Sequence, residues 1–326
     1  MTDTQWNAFC TFRADFKDKI AEWNEKLSKI KAENGLSIAD LQKNAAEKDG
    51  VPPYPLQNAI VYNTALDDIT AADEIKLIVI GDNPGKDEQL SCNRKYLVGQ
   101  AGKIAEGFFR KNPELGIDFR KNVIILNKTP VHTAKTKELA FLQKCGGNEL
   151  KELILESQLW MAENTAKLHI KLNESSAEEC GLWLVGYSEL KGKGLFLPYR
   201  DALLKAYESC GAASGGFSVQ GDSASVSPSA SCPADSSSSA GGLASGSPKA
   251  GDSAGGAPKA ASSASGSSSA SGAANGGFAE SAVYVYQHFS MNRFSIDLSE
   301  HKQPGDSLSE SLRKLGLLHR KEIFGV

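Results

Sequence analysis

The sequence predicts a three-layer α/β domain in which a central four-stranded parallel sheet lies between two layers of helices. Two observations predict it. Residues 75–80, 122–127, 181–186 and 282–286 are short, nearly continuous apolar runs, as expected of strands buried on both faces. Longer segments with apolar residues three or four apart lie between them, and strands that alternate with helices build parallel sheets covered on both sides.

Each element has its own signal. Trp6, Phe9, Phe12, Phe16, Ile20 and Trp23 recur at helical spacing with charged residues between them, so residues 1–74 are expected to form a helical region packing on the core. Pro52, Pro53 and Pro55 end it, because proline lacks a backbone donor and turns its predecessor away from helix. Helices are expected over 100–110, 148–172 and 198–209, in the gaps between the apolar runs. A closing helix over 306–317 has Asp306 or Ser307 as its cap. Residues 211–279 are almost entirely Ser, Ala and Gly and cannot bury enough apolar surface to offset their chain entropy. They read as a disordered insertion inside one domain made of 75–210 plus 280–326. A strand and a helix are too little to fold alone, and a long loop costs little, about 0.6 kcal/mol per doubling of its length.

Composition narrows the function classes. The chain has 326 residues, 40% hydrophobic and 23% charged, with a net charge of −3. It is therefore no polyelectrolyte that coats nucleic acid through bulk charge, and any such contact must be local. One local candidate is 120–144, where Arg120, Lys121, Lys128, Lys135, Lys137 and Lys144 face the single acid Glu138. The six cysteines are widely spaced with no C-x-x-C pair, which argues against a zinc or redox centre. No apolar run is long enough to span a bilayer, and the N-terminus does not read as a leader. A cytoplasmic monomer without metal, cofactor or membrane partner is the expectation.

Ligands of parallel α/β sheets bind beyond the carboxyl ends of the strands. Three polar, turn-rich segments follow predicted strands there: Gly81-Asp82-Asn83-Pro84-Gly85-Lys86, Asn127-Lys128-Thr129-Pro130-Val131-His132 and Gln287-His288-Phe289-Ser290-Met291-Asn292-Arg293. Taken alone, each is ordinary turn chemistry. A lone loop histidine such as His132 is more often merely exposed.

Together they resemble a family. Gly81-Asp82-Asn83-Pro84-Gly85 is similar to the first motif of uracil-DNA glycosylases, whose branches carry forms such as GQDPYH, GINPG and GEAPG. Tyr96-Leu97-Val98-Gly99-Gln100-Ala101-Gly102-Lys103 resembles the PFVGRAG segment of the iron-sulfur branch. Ile125-Leu126-Asn127 resembles the strand end whose asparagine reads uracil, and His288-Phe289-Ser290-Met291-Asn292-Arg293 resembles the HPS motif. The four matches occur in the family's order across about residues 75–320.

The resemblance implies a uracil-DNA glycosylase-like fold and hydrolysis of the N-glycosidic bond of uracil, or another deaminated base, flipped out of DNA. His288, as a neutral imidazole, would donate to the departing base, where charge develops. Asp82 and Asn83 compete for positioning the water, the carboxylate also favouring the cationic sugar. Asn127 would pair with the base edge, lined by Gly81 and Pro84. Tyr96 or Leu97 would lie against the base, although a plain core role for Tyr96 is an equal alternative. Gly85, Lys86, Gly99, Lys128, Ser290 and Arg293 would contact DNA, with Met291 the nearest apolar wedge. The sequence departs from the family in two ways: it lacks the N-terminal C-x-x-C of the iron-sulfur branch, so no cluster is expected, and Phe289 replaces the proline after the histidine. A catalytically inactive nucleic-acid-binding module of the same fold is the alternative.

Overall fold

Thr2 starts the first helix, α1 (Asp3–Lys29), through a capping box: its hydroxyl accepts from the Gln5 N–H while the Gln5 side chain accepts from the Thr2 N–H. The computed structural model describes residues 1–32, 35–174, 178–214 and 278–326. Phe9, Phe12, Phe16, Ile20, Trp23 and Leu27 form the buried stripe of α1, as their spacing predicts. Ser37 caps a second helix of this N-terminal region, α2 (Ile38–Lys48).

The four apolar runs are strands β1 (Leu77–Gly81), β2 (Val123–Asn127), β3 (Gly181–Val185) and β4 (Val283–Tyr286). They form one sheet in the order β2-β1-β3-β4, and every pairing is parallel. Because side chains alternate along a strand, each run feeds two cores. Ile78, Ile80, Ile124, Leu126, Leu182, Leu184, Val283 and Val285 face one layer. Leu77, Val79, Val123, Ile125, Trp183, Val185 and Tyr286 face the other.

The first layer holds α1, α2, α4 (Glu138–Cys145), α5 (Gly147–Asn173) and α6 (Leu197–Ser214). The second holds α3 (Gln100–Lys111), α7 (Arg293–His301) and much of α8 (Leu308–Phe324). The step from β1 to β2 runs to one side of the sheet through α3. The steps from β2 to β3 and from β3 to β4 run to the other side through the opposite layer, as a constant crossover hand requires. The chain thus leaves β1 and its neighbour β3 towards opposite layers, and the crevice between their carboxyl ends is where such folds bind ligands.

Three boundaries differ from the sequence reading. Ser307, not Asp306, caps α8, and that helix continues to Phe324. Helix α6 runs through Ser214, into the expected insertion. At the insertion's far end Phe278 is buried against Tyr207 and Phe324. The rest of the insertion, 215–277, lies outside the described residues. Among the described residues no helix is long and apolar enough to cross a membrane.

Candidate functional site

Register brings the first two loops together. Gly81 pairs with Asn127 at the last position of β1 and β2, and a Cβ on residue 81 would overlap Asn127 Oδ1. Glycine is required there so that the Asn127 amide can lie across the end of β1. Asn127 is 2% exposed, and its Nδ2 has no hydrogen-bond partner in the protein. A buried amide donor without a partner costs about 1–3 kcal/mol, and this one lies at the carboxyl end of the sheet, where a ligand group could satisfy it.

The next residue of each loop forms a buried ion pair. Lys128 is fully buried and its Nζ lies 2.6 Å from Asp82 Oδ1. The same ammonium donates to the carbonyls of Gly81 and Val185 and lies 4.9 Å from the centre of the Phe196 ring. Burial lowers the Lys128 pKa and the Asp82 carboxylate opposes that shift. Gly186 closes over the pair with φ +94°, and a Cβ there would overlap Asp82 Oδ1. The other carboxylate oxygen of Asp82 is 3.4 Å from Thr136 Oγ1. Lys128 is therefore not the surface cation expected from the sequence: it is an internal counter-ion and does not reach a phosphate.

Asn83 is oriented by its amide protons, which are given to Thr133 Oγ1 at 2.8 Å and the Val131 carbonyl at 3.2 Å. Its Oδ1 is left as an acceptor. The Pro84 carbonyl accepts from His132 Nδ1 at 2.8 Å, so the other ring nitrogen, Nε2, accepts from the Tyr54 hydroxyl at 2.9 Å. Burial pushes the His132 pKa down to about 4, consistent with a neutral ring. Gln42 of α2 donates to the His132 carbonyl at 2.7 Å. The N-terminal region thereby holds the loop after β1 through His132, which is buried rather than exposed.

His288 follows β4. The Ser290 N–H donates to its Nδ1 at 3.1 Å, and Ser290 Oγ lies 2.8 Å from the same atom. Nδ1 is thus the acceptor, and the ring proton sits on Nε2. Burial lowers the His288 pKa, with Asp82 opposing the shift and Lys128 reinforcing it. Phe289 is fully buried, with its ring 4.6 Å from Phe294. It anchors the loop by packing. Met291 and Asn292 have φ of 54° and 56°, and Met291 is 75% exposed. Arg293 begins α7 and is exposed.

The remaining predicted residues lie further out or deeper. Tyr96 is 1% exposed with its hydroxyl donating to the Val61 carbonyl, so its ring belongs to the core and offers no face for stacking. Leu97 is buried with φ 51°. Its carbonyl accepts from Arg120 Nη2 at 2.7 Å and would overlap any Cβ on Gly102. Gly102 serves this helix-loop contact. Lys86 is exposed, Gly85 is half-buried, and Gly99 precedes α3. Most of the basic stretch is already committed: Arg120 to Leu97 and Glu106, Lys128 to Asp82, and Lys135 and Lys137 to Asp49.

Sequence reasoning missed Gly186, Tyr54, the structural part played by His132, and Glu88. Glu88 is buried, accepts from the Gly85 N–H at 3.2 Å, and is pushed up to about 7 by burial. Gly186, Tyr54 and His132 do not announce themselves locally, because their neighbours come from distant parts of the chain; Glu88 bonds within its own loop, and only its burial was not legible. No protein-family model, no curated protein and no solved structure matches the chain.

Proposed function

We propose that the protein is a DNA glycosylase of the uracil-DNA glycosylase type, hydrolysing the N-glycosidic bond of uracil or another deaminated base flipped out of DNA. One observation carries this reading: an unpartnered buried amide donor on Asn127, an acceptor on Asn83 and an Nε2–H on His288 all follow carboxyl ends of strands in one parallel sheet. Each has a task in such a reaction. Asn127 Nδ2 would donate to a base carbonyl, and Asn83 Oδ1 would accept from the attacking water. As the bond from sugar carbon to base nitrogen breaks, the electron pair leaves with the base. His288 Nε2–H would stabilise the resulting negative charge, while the water oxygen bonds to the sugar carbon and its released proton ends on the departed base anion, giving the free base and an abasic sugar. A neutral donor suits this task because no buried cation has to be maintained beforehand. Exposed Lys86, Met291 and Arg293 would meet the DNA.

The test is incubation with single- and double-stranded oligonucleotides carrying uracil or hypoxanthine, followed by alkaline cleavage of abasic sites. Cleavage is expected, slowed about 10²–10³-fold by His288→Ala and with relaxed base choice in Asn127→Ala. The non-catalytic nucleic-acid-binding reading is favoured by one feature, the neutralisation of Asp82 by Lys128. Binding without cleavage of any substrate would establish that reading in place of the enzyme.

A further inference from the structure

An ammonium carries three donors, and those of Lys128 meet three acceptors: Asp82 Oδ1, the Gly81 carbonyl and the Val185 carbonyl. Gly81 and Val185 end β1 and β3, the two strands that flank the crevice, and Lys128 itself follows the end of β2. One buried cation thus ties together three of the four strand ends. The fourth end is joined to the same place through β3: Tyr286, two residues before His288, pairs with Val185 and accepts from the Gly186 N–H at 2.9 Å. The charged groups acting on the ammonium are Asp82 at close range and Glu189, on the turn after β3, further away. Those acting on His288 are Asp82 and Lys128 themselves. Gly186, without a side chain, lets the backbone close over the pair.

We propose that Lys128 is a positioning residue: paired with Asp82, it sets the geometry of the pocket floor and keeps the field at His288 balanced, so that Asp82 acts as its counter-ion and not as a proton acceptor. The link to catalysis rests on the glycosylase reading. The pair itself does not.

The experiment is an NMR titration of the His288 imidazole in the full-length protein, assigned by its loss in His288→Asn. It compares the natural protein with Lys128→Met, Asp82→Asn and the double variant. Removing the cation alone leaves the Asp82 charge uncompensated, so the midpoint should rise by about one pH unit, a tenfold change in protonation. Removing the carboxylate alone should lower it. The double variant should return close to the natural value, a restoration that general loosening of the fold would not produce. The same midpoint in all four proteins overturns the proposal. If Lys128→Met does not fold, Asp82→Asn decides: a lowered midpoint supports the pairing, and an unchanged one overturns it.

The pH profile of cleavage supplies the catalytic half of the test. With an active enzyme, its acid limb should follow the NMR midpoint across the folded variants, and a limb that stays fixed while the midpoint moves overturns the catalytic link. Absence of cleavage by the natural protein at every pH refutes the glycosylase reading and leaves the NMR comparison to judge the pair separately.

Discussion

Gly186 shows how a residue without a side chain constrains the site. It sits at φ +94°, which an L-residue adopts only under strain, and its missing Cβ makes room for Asp82 Oδ1. Gly186→Ala is expected to cost about 2–4 kcal/mol in urea unfolding, since strain and overlap add. A loss below about 1 kcal/mol would mean that the ion pair yields easily. For the proposed water-positioning role, the geometry favours Asn83 over Asp82. Both carboxylate oxygens of Asp82 have partners within the protein, Lys128 and the more distant Thr136, whereas Asn83 keeps Oδ1 available. The dipeptide alone allows either assignment, because the cation paired with Asp82 lies 46 residues away in the chain.

Among the elements, α3 and the loop before it explain a motif that its residues suggested for a different reason. In the segment that resembles PFVGRAG, Gly99 reads as a DNA contact and Gly102 as its companion at the start of the helix. Gly102 instead lets α3 pack directly on the Leu97 carbonyl, while Arg120 holds that carbonyl from the other side. Gly102→Ala must push the helix off the loop and is expected to destabilise by about 2–4 kcal/mol, measured by the thermal midpoint from circular dichroism. An unchanged midpoint would show that the loop moves freely. Strand positions were legible because the apolar runs are continuous. The separate helices α2, α4 and α7 were not, since short helices flanked by loops lack enough turns to declare a period.

Across the whole molecule, buried titratable groups make stability depend on pH with a definite sign. His132 and His169 are buried and pushed down to about 4 from an ordinary 6.5. The unfolded chain therefore takes up their protons first, and stability falls as the pH drops from about 6.5 to about 4. Glu88, pushed up to about 7 from 4.5, opposes them by binding its proton earlier in the folded state. Between about pH 4.5 and 6.5 two protons favour unfolding against one favouring folding, a net loss of about 1.4 kcal/mol per pH unit on acidification from these three groups. His132→Gln should flatten the slope of urea stability against pH, and Glu88→Gln should steepen it. Slopes unchanged in both variants would remove these groups from the acid response.

The sequence by itself determined the layered α/β architecture, since strands buried on both faces must be apolar throughout and the helices between them must carry one apolar stripe. It also placed Asn83, Asn127 and His288 at strand ends, because turn residues after an apolar run mark the end of a strand. Only the tertiary structure decided the sheet order, the burial of Lys128 and Tyr96, the tautomers of His132 and His288, and the need for glycine at 81, 102 and 186. For the sheet order, Lys128, Tyr96, His132, Gly81 and Gly186 the physical reason is contact between segments far apart in the chain, and neither the period of a segment nor its composition records which distant atoms it will meet. For the His288 tautomer and Gly102 it is the path of a loop that brings Ser290 and Leu97 close, which period and composition do not record either.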